Sequence, residues 1–352
     1  MKLKTNQLIW AFGLSTLLFS CDDSESERPL GKYETGILIM NEGAFGSNDG
    51  EVYHLDPMSK ALKADIFETA NNRPFAGLLE DMVLTDDRLF LVANTGKVEI
   101  VNPGDFKSLG AVSGDLDIPR SLAVNGNKLF ISDYGPYDAR FNTPDSYIAV
   151  VEGLNGGPIK KKIQVSNKPE DLFSFGKYVF VAGSEEGKVE IIDVDTEAIF
   201  KTLEVSGKPQ QFFEEDGVLW LYSTGDDEVY FQSFRLDNLT KANAITLPLA
   251  DATSRITFDD DSETAYILTS SGWPDYEDAV ARVSLDNSTL EAKWITGSGF
   301  YGIGFDDETG LLYVANAKGF QGNGTVTIYR SNGQVDSEMT VGRGPSGFMF
   351  MN

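Results

Sequence analysis

The chain has 352 residues, a formal charge of −25, one cysteine and one histidine. So acidic a chain, with no Lys/Arg-rich run, lacks the basic face that displaces counterions from nucleic acid, and no nucleic-acid partner is expected. One thiol makes no internal disulfide, and one imidazole does not build the usual two- or three-histidine zinc centre. The 35 glycines, 23 phenylalanines and 13 tyrosines fit a β-rich protein with many tight turns.

Taken in chain order, the first element is a targeting segment. Lys2 and Lys4 precede an apolar run from Leu8 to Phe19, too short to span a bilayer, which needs ~20 apolar residues. It ends in Leu18-Phe19-Ser20-Cys21, which resembles the lipobox of a bacterial lipoprotein signal. Residues 1–20 are read as a signal peptide and Cys21 as the lipidated residue. Residues 21–34 are then an acidic lipidated tether. Its run Asp22-Asp23-Ser24-Glu25-Ser26-Glu27 resembles the surface-export signal of Bacteroidota lipoproteins, and such a stretch buries too little apolar surface to fold. The expectation is a protein held on the outer membrane by lipid alone, facing the cell exterior.

From Thr35 onward the chain repeats. Pro119-Arg120-Ser121-Leu122-Ala123-Val124, followed by Lys128-Leu129-Phe130-Ile131-Ser132, returns as Pro169-Glu170-Asp171-Leu172-Phe173-Ser174 with Tyr178-Val179-Phe180-Val181-Ala182. It returns again as Pro209-Gln210-Gln211-Phe212-Phe213 with Val218-Leu219-Trp220-Leu221-Tyr222. A third strand follows, as in Val189-Glu190-Ile191-Ile192, and a fourth, as in Thr202-Leu203-Glu204-Val205. Four short strands form one antiparallel meander of ~40–50 residues, the size of a propeller blade. The second-strand pattern recurs at Leu89–Val92, Ala265–Leu268, Leu311–Val314 and Ile37–Met40. No first strand precedes Ile37. Its counterpart is Pro345-Ser346-Gly347-Phe348-Met349-Phe350 at the other end of the chain. The expected fold is therefore an all-β, seven-bladed β-propeller over 35–352, with the ring closed by the C-terminal strand, and no helix after the signal.

This repeat resembles the YncE-like seven-bladed propellers. The opening Asn41-Glu42-Gly43-Ala44-Phe45-Gly46-Ser47-Asn48-Asp49-Gly50 resembles the start of a Bacteroidota surface-lipoprotein propeller family. Cobalamin-capturing propeller lipoproteins seated on a TonB-dependent transporter are similar to it. The resemblance implies a small organic ligand, cobalamin or a siderophore-like molecule, and a transporter as partner. Fold alone does not fix the ligand.

Loop length points to a binding face. Several connections between second and third strands are minimal, but four, 43–50, 134–146, 271–279 and 317–324, are long. They carry Arg140 together with Phe45, Tyr134, Tyr137, Phe141, Trp273, Tyr276 and Phe320, aromatics suited to a planar or amphipathic ligand. The connections from fourth to next first strand add Arg73, Phe75, Arg120, Lys168, Lys208, Arg255, Tyr301 and Arg343. Cations recurring at one place in successive blades would ring the channel mouth and take a phosphate or carboxylate. The bland alternatives are loops packing on themselves, and salt bridges to neighbours such as Glu170 and Asp171.

An enzyme is the weaker reading. His54 lies in the alternating strand Glu51-Val52-Tyr53-His54-Leu55-Asp56, and no Ser-His-Asp set stands out. Asp259-Asp260-Asp261 and Asp306-Asp307-Glu308 fall in hairpin turns of the opposite face. No resident cofactor or metal is expected. A protein-interaction scaffold and a propeller hydrolase or lactonase remain as alternatives to ligand capture.

Overall fold

The computed structural model describes residues 29–351 apart from 216, 273 and 275. The expected signal peptide, Cys21, the acidic run and Trp273 lie outside the described residues.

Seven four-stranded antiparallel sheets form the ring of a seven-bladed β-propeller. Second strands such as Leu89–Ala93 and Lys128–Asp133 are almost wholly buried, because each is covered on both faces by neighbouring blades. Outermost strands such as Ile159–Gln164 are mostly exposed and carry the lysines. Two-residue hairpins link first to second strands, as between Asn125 and Lys128, with Gly126 supplying the left-handed conformation the turn requires. The core is a series of apolar wedges between blades. One of them joins Leu38, Met40 and Met351 of the first blade to Leu79, Leu91 and Phe106 of the second.

The ends of the domain meet as the repeat pattern predicts. The C-terminal strand Pro345–Met351 pairs antiparallel with the first strand Gly36–Asn41, in the register Ile37↔Phe350 and Ile39↔Phe348. It supplies the innermost strand of the first blade and leaves no open edge there.

One expectation changes. A short helix, Ile66–Asn71, stands in the connection between the first and second blades. It buries Ile66 and Phe67 beneath the loop face, a two-residue apolar signal too short to show helical periodicity. His54 is an ordinary strand residue, as read. It is 3% exposed, stacks edge-on against Tyr33, and contacts the Thr35 carbonyl through Nε2 at 2.7 Å.

Candidate functional site

The inner strands share one irregularity that builds the site. All seven carry a register shift near their first residues: at Leu79/Asp81, Pro119/Leu122, Pro169/Leu172, Pro209/Gln211, Ala252/Ile256 and Phe300/Gly302, and opposite Met40/Asn41 in the first blade. A bulge leaves a residue unpaired and re-aims its side chain. The register aligns Met82, Leu122, Leu172, Phe212, Ile256, Ile303 and Phe348 against the middles of the second strands. Two residues before these stand Glu80, Arg120, Glu170, Gln210, Ser254, Tyr301 and Ser346. The bulged positions therefore form one polar tier around the channel mouth.

Below the mouth lies a cavity of about 600 Å³. Glu80, Arg120, Glu170, Gln210, Ser254 and Ser346 line it, and so do Phe173, Phe258, Phe348 and Phe350 further along the inner strands. Arg120 is held 2.7 Å from Glu80 and 4.0 Å from Glu170, with its guanidinium 5.1 Å from the Tyr134 ring. The Tyr134 hydroxyl donates to Glu170. A second set uses the same chemistry. Arg255 lies 3.9 Å from Glu42 and 5.3 Å from the Tyr301 ring, and the Tyr301 hydroxyl donates to Glu42. Phe320 packs edge-on against Tyr301 at 4.9 Å.

Burial opposes the charge on Arg120, yet Glu80, Tyr134, Glu170 and Glu42 together hold its pKa above the ordinary arginine value. Burial, then the neighbouring Glu80, raises Glu42. Two polar atoms of the cavity wall have no hydrogen-bond partner among the described residues: Arg120 Nε and Ser346 Oγ. Ser346 is 3% exposed.

One step inward, Ser121 Oγ stands 2.9 Å from Asp81 and 3.2 Å from Asp171. A hydroxyl has one proton to give, so both contacts are favourable only when one of the carboxyls is itself protonated and donates to the oxygen. Burial pushes Asp171 up to about 7, and the charge of Asp81 adds to the rise. Burial likewise raises Asp81.

Of the residues singled out from the sequence, Arg120, Tyr134, Arg255, Tyr301 and Phe320 gather at this mouth. The expected ring of cations is corrected. Arg73 is locked in a bidentate pair with Glu99 at 2.8 Å over the Phe67 ring, Arg343 is bound to Asp49 at 3.1 Å and to Ser47, and Lys168 is paired with Glu185. Arg120 and Arg255 stand within the bulged starts of inner strands, whereas Arg73, Lys168 and Arg343 lie in the connections before them and turn to other partners. Phe75 is buried at 1% exposure and serves as core. Phe45, Tyr137, Arg140, Phe141 and Tyr276 are exposed on the surrounding loops, with Tyr137 and Phe141 packed at 6.3 Å from each other. Glu42, Glu80, Asp81 and Ser121 were not legible as site residues, although Leu79-Glu80-Asp81 occupies the place of Pro119-Arg120-Ser121 in the repeat. Aligning the repeats on their second strands would have found Glu80 and Asp81.

The fold is similar to that of several solved structures. A quinonprotein alcohol dehydrogenase-like protein from Bacteroides thetaiotaomicron is 15% identical, with a TM-score of 0.67 over 91% of this chain and 79% of that one. A periplasmic gluconolactonase of Pseudomonas aeruginosa is 15% identical, with a TM-score of 0.65 over 89% of this chain and 98% of that one. The Kuenenia stuttgartiensis hydrazine synthase is 15% identical, with a TM-score of 0.59 over 76% of this chain and 87% of that one. These likenesses concern the fold alone. No curated protein matches the chain. Residues 35–342 match the model of a domain of unknown function, DUF5074, and the chain belongs to that family.

Proposed function

We propose that the protein is a lipid-anchored binding protein of the outer membrane that captures a small polar organic molecule in the channel mouth and passes it to a TonB-dependent transporter. The observation that carries this reading is a pair of polar atoms without a hydrogen bond in residues that line the 600 Å³ cavity: Arg120 Nε, which lies 4.0 Å from a Glu170 carboxylate oxygen, and Ser346 Oγ. Buried polar groups are normally satisfied, and a ligand with a carboxylate or hydroxyl would satisfy both. Arg120 is fixed by Glu80 before the ligand arrives, so little ordering entropy is lost on binding. Cobalamin and siderophores are the candidates suggested by resemblance. They exceed the cavity, so they would rest on the mouth and use the exposed Phe45, Phe141 and Tyr276 of the loops.

The anchor and the surface location rest on the lipobox, the acidic run behind it and the absence of a second cysteine. No helix among the described residues is long and apolar enough to cross a membrane.

A hydrolase is the second reading, favoured by the Asp81–Ser121–Asp171 group. A carboxyl near neutral pKa in a cavity is suited to general acid–base work. A thermal-shift screen of the full chain against cobalamin, ferric siderophores and sugar acids tests capture. A parallel assay of sugar-lactone hydrolysis tests the enzyme. A stabilising ligand without turnover supports capture. Turnover abolished by Asp171→Asn would replace it with the hydrolase, and neither response would leave the scaffold reading ahead.

A further inference from the structure

The loop face holds a second hollow, of about 270 Å³, that shares no lining residue with the central cavity. It lies where three blades meet. The first blade contributes Asn41, Asp49, Glu51 and Tyr53, and the connection to the second blade contributes Asp65, Glu68 and Phe75. The seventh blade and its connection to the first contribute Asn323, Gly342 and Arg343.

Its chemistry is that of an acceptor site. Three carboxyl groups, those of Asp49, Asp65 and Glu68, face one cation, Arg343; the fourth, that of Glu51, accepts from the Val52 and Phe67 N–H groups, and burial pushes it up to about 7. That cation is already engaged by Asp49 at 3.1 Å and by Ser47 at 3.2 Å. The nearest cations behind the wall are committed as well. Arg73 pairs with Glu99, and Lys97 lies 3.4 Å from Glu99 and 4.5 Å from the Phe75 ring centroid. An independent observation points into the same hollow. Asn41 is 1% exposed, its amide nitrogen is used by the carbonyls of Ile39 and Glu51 at 3.3 Å, and its Oδ1 has no partner among the described residues. That oxygen lies against Gly342, another lining residue, where an added Cβ would stand 2.8 Å from it. A buried amide oxygen left without a donor is costly, and a ligand N–H would supply one.

We propose that this hollow binds the ammonium group of a small organic amine. Asn41 Oδ1 accepts one N–H, Asp65 and Glu68 supply the countercharge, and Tyr53 gives the ammonium or its adjoining methylenes an aromatic wall. A bare divalent cation fits less well. Calcium takes 6–8 oxygens at 2.3–2.6 Å, and no three acidic side chains among the described residues converge enough to hold a metal. The site is independent of the central cavity, and its failure would leave the proposed function untouched.

Calorimetric titration of the full chain with putrescine tests it, with N,N′-diacetylputrescine as the uncharged control of similar reach and calcium chloride as the competitor. Saturable binding of putrescine is expected, with no heat from the diacetyl derivative and no displacement by calcium. The double variant Asp65→Asn, Glu68→Gln should weaken putrescine about tenfold, because it removes two of the charges. Both residues are exposed, and asparagine tolerates the left-handed backbone that Asp65 adopts, so the variant keeps the fold. Arg120→Gln, in the other cavity, should leave putrescine binding unchanged. Equal binding of the diacetyl derivative, displacement by calcium, the absence of saturable binding, or unaltered affinity in the double variant would each overturn the proposal.

Discussion

Asn41, Glu42 and Gly43 are consecutive, and each serves a different end. Asn41 turns its amide toward the lateral hollow, while Glu42 reaches Tyr301 and Arg255 at the channel mouth. Gly43 has φ +88, and a Cβ there would lie 2.5 Å from the Gly50 nitrogen. Gly50 in turn packs against the Gly77 and Glu42 carbonyls, 2.5 and 2.6 Å from where its Cβ would be. Gly43 is thus explained by its left-handed backbone and its contact with Gly50 in the same loop, and Gly50 by close backbone contact between the first two blades. The polar residues of this opening motif reach both hollows, a division that spacing in the sequence does not reveal. Asp171 offers a residue-scale prediction. Its folded pKa of about 7 lies above the ordinary aspartate value, so the native state favours the protonated form. Its stabilising contribution is complete below the unfolded pKa and is lost as pH rises through 7. Asp171→Asn removes that titration. In calorimetric melts between about pH 5 and 8, the midpoint of the variant should therefore climb relative to the parent as pH rises, at about 1.5 °C per kcal/mol. A difference that stays constant over that range would mean Asp171 is ionised throughout.

At the scale of the strand, apolar pattern and repetition carried nearly all the information. Runs such as Lys128-Leu129-Phe130-Ile131 predict second strands because both faces are covered by neighbouring blades. The match between Pro345–Phe350 and Pro119–Val124 predicts the closure that pairs Ile39 with Phe348. The bulges at the inner-strand starts were not visible, since a bulge is a property of pairing rather than of one strand's composition. They are what bring Glu80, Arg120 and Glu170 into one tier, whereas Arg73 and Arg343 lie in the connections before the inner strands. Closure makes a further prediction. Deleting residues 345–352 strips the inner strand from the first blade, uncovers Leu38 and Ile39, and unpairs their backbone groups. The truncated protein should lose its cooperative melt and bind a hydrophobic dye at temperatures where the parent does not. A midpoint equal to the parent's would show that the first blade is complete without that strand.

The whole molecule is a closed ring with a polar cavity at its mouth, to which the proposed function adds a lipid on Cys21. The lipid claim rests on sequence alone, because Cys21 lies outside the described residues. Cys21→Ala should abolish metabolic labelling by a palmitate analogue and release the protein from the membrane fraction. Label that persists in the variant would refute the lipobox. The central claim is capture at the channel mouth, and calorimetric titration with the most stabilising member of the ligand screen tests it most directly. Parent, Arg120→Gln and Ser346→Ala proteins would be compared, each first checked for an unchanged circular dichroism spectrum. Saturable binding to the parent is predicted, weakened at least about tenfold in Arg120→Gln, which loses a charged donor, and measurably in Ser346→Ala, which loses a hydroxyl with no hydrogen-bond partner among the described residues. Binding of equal affinity in all three proteins would contradict the account and place the ligand elsewhere on the propeller.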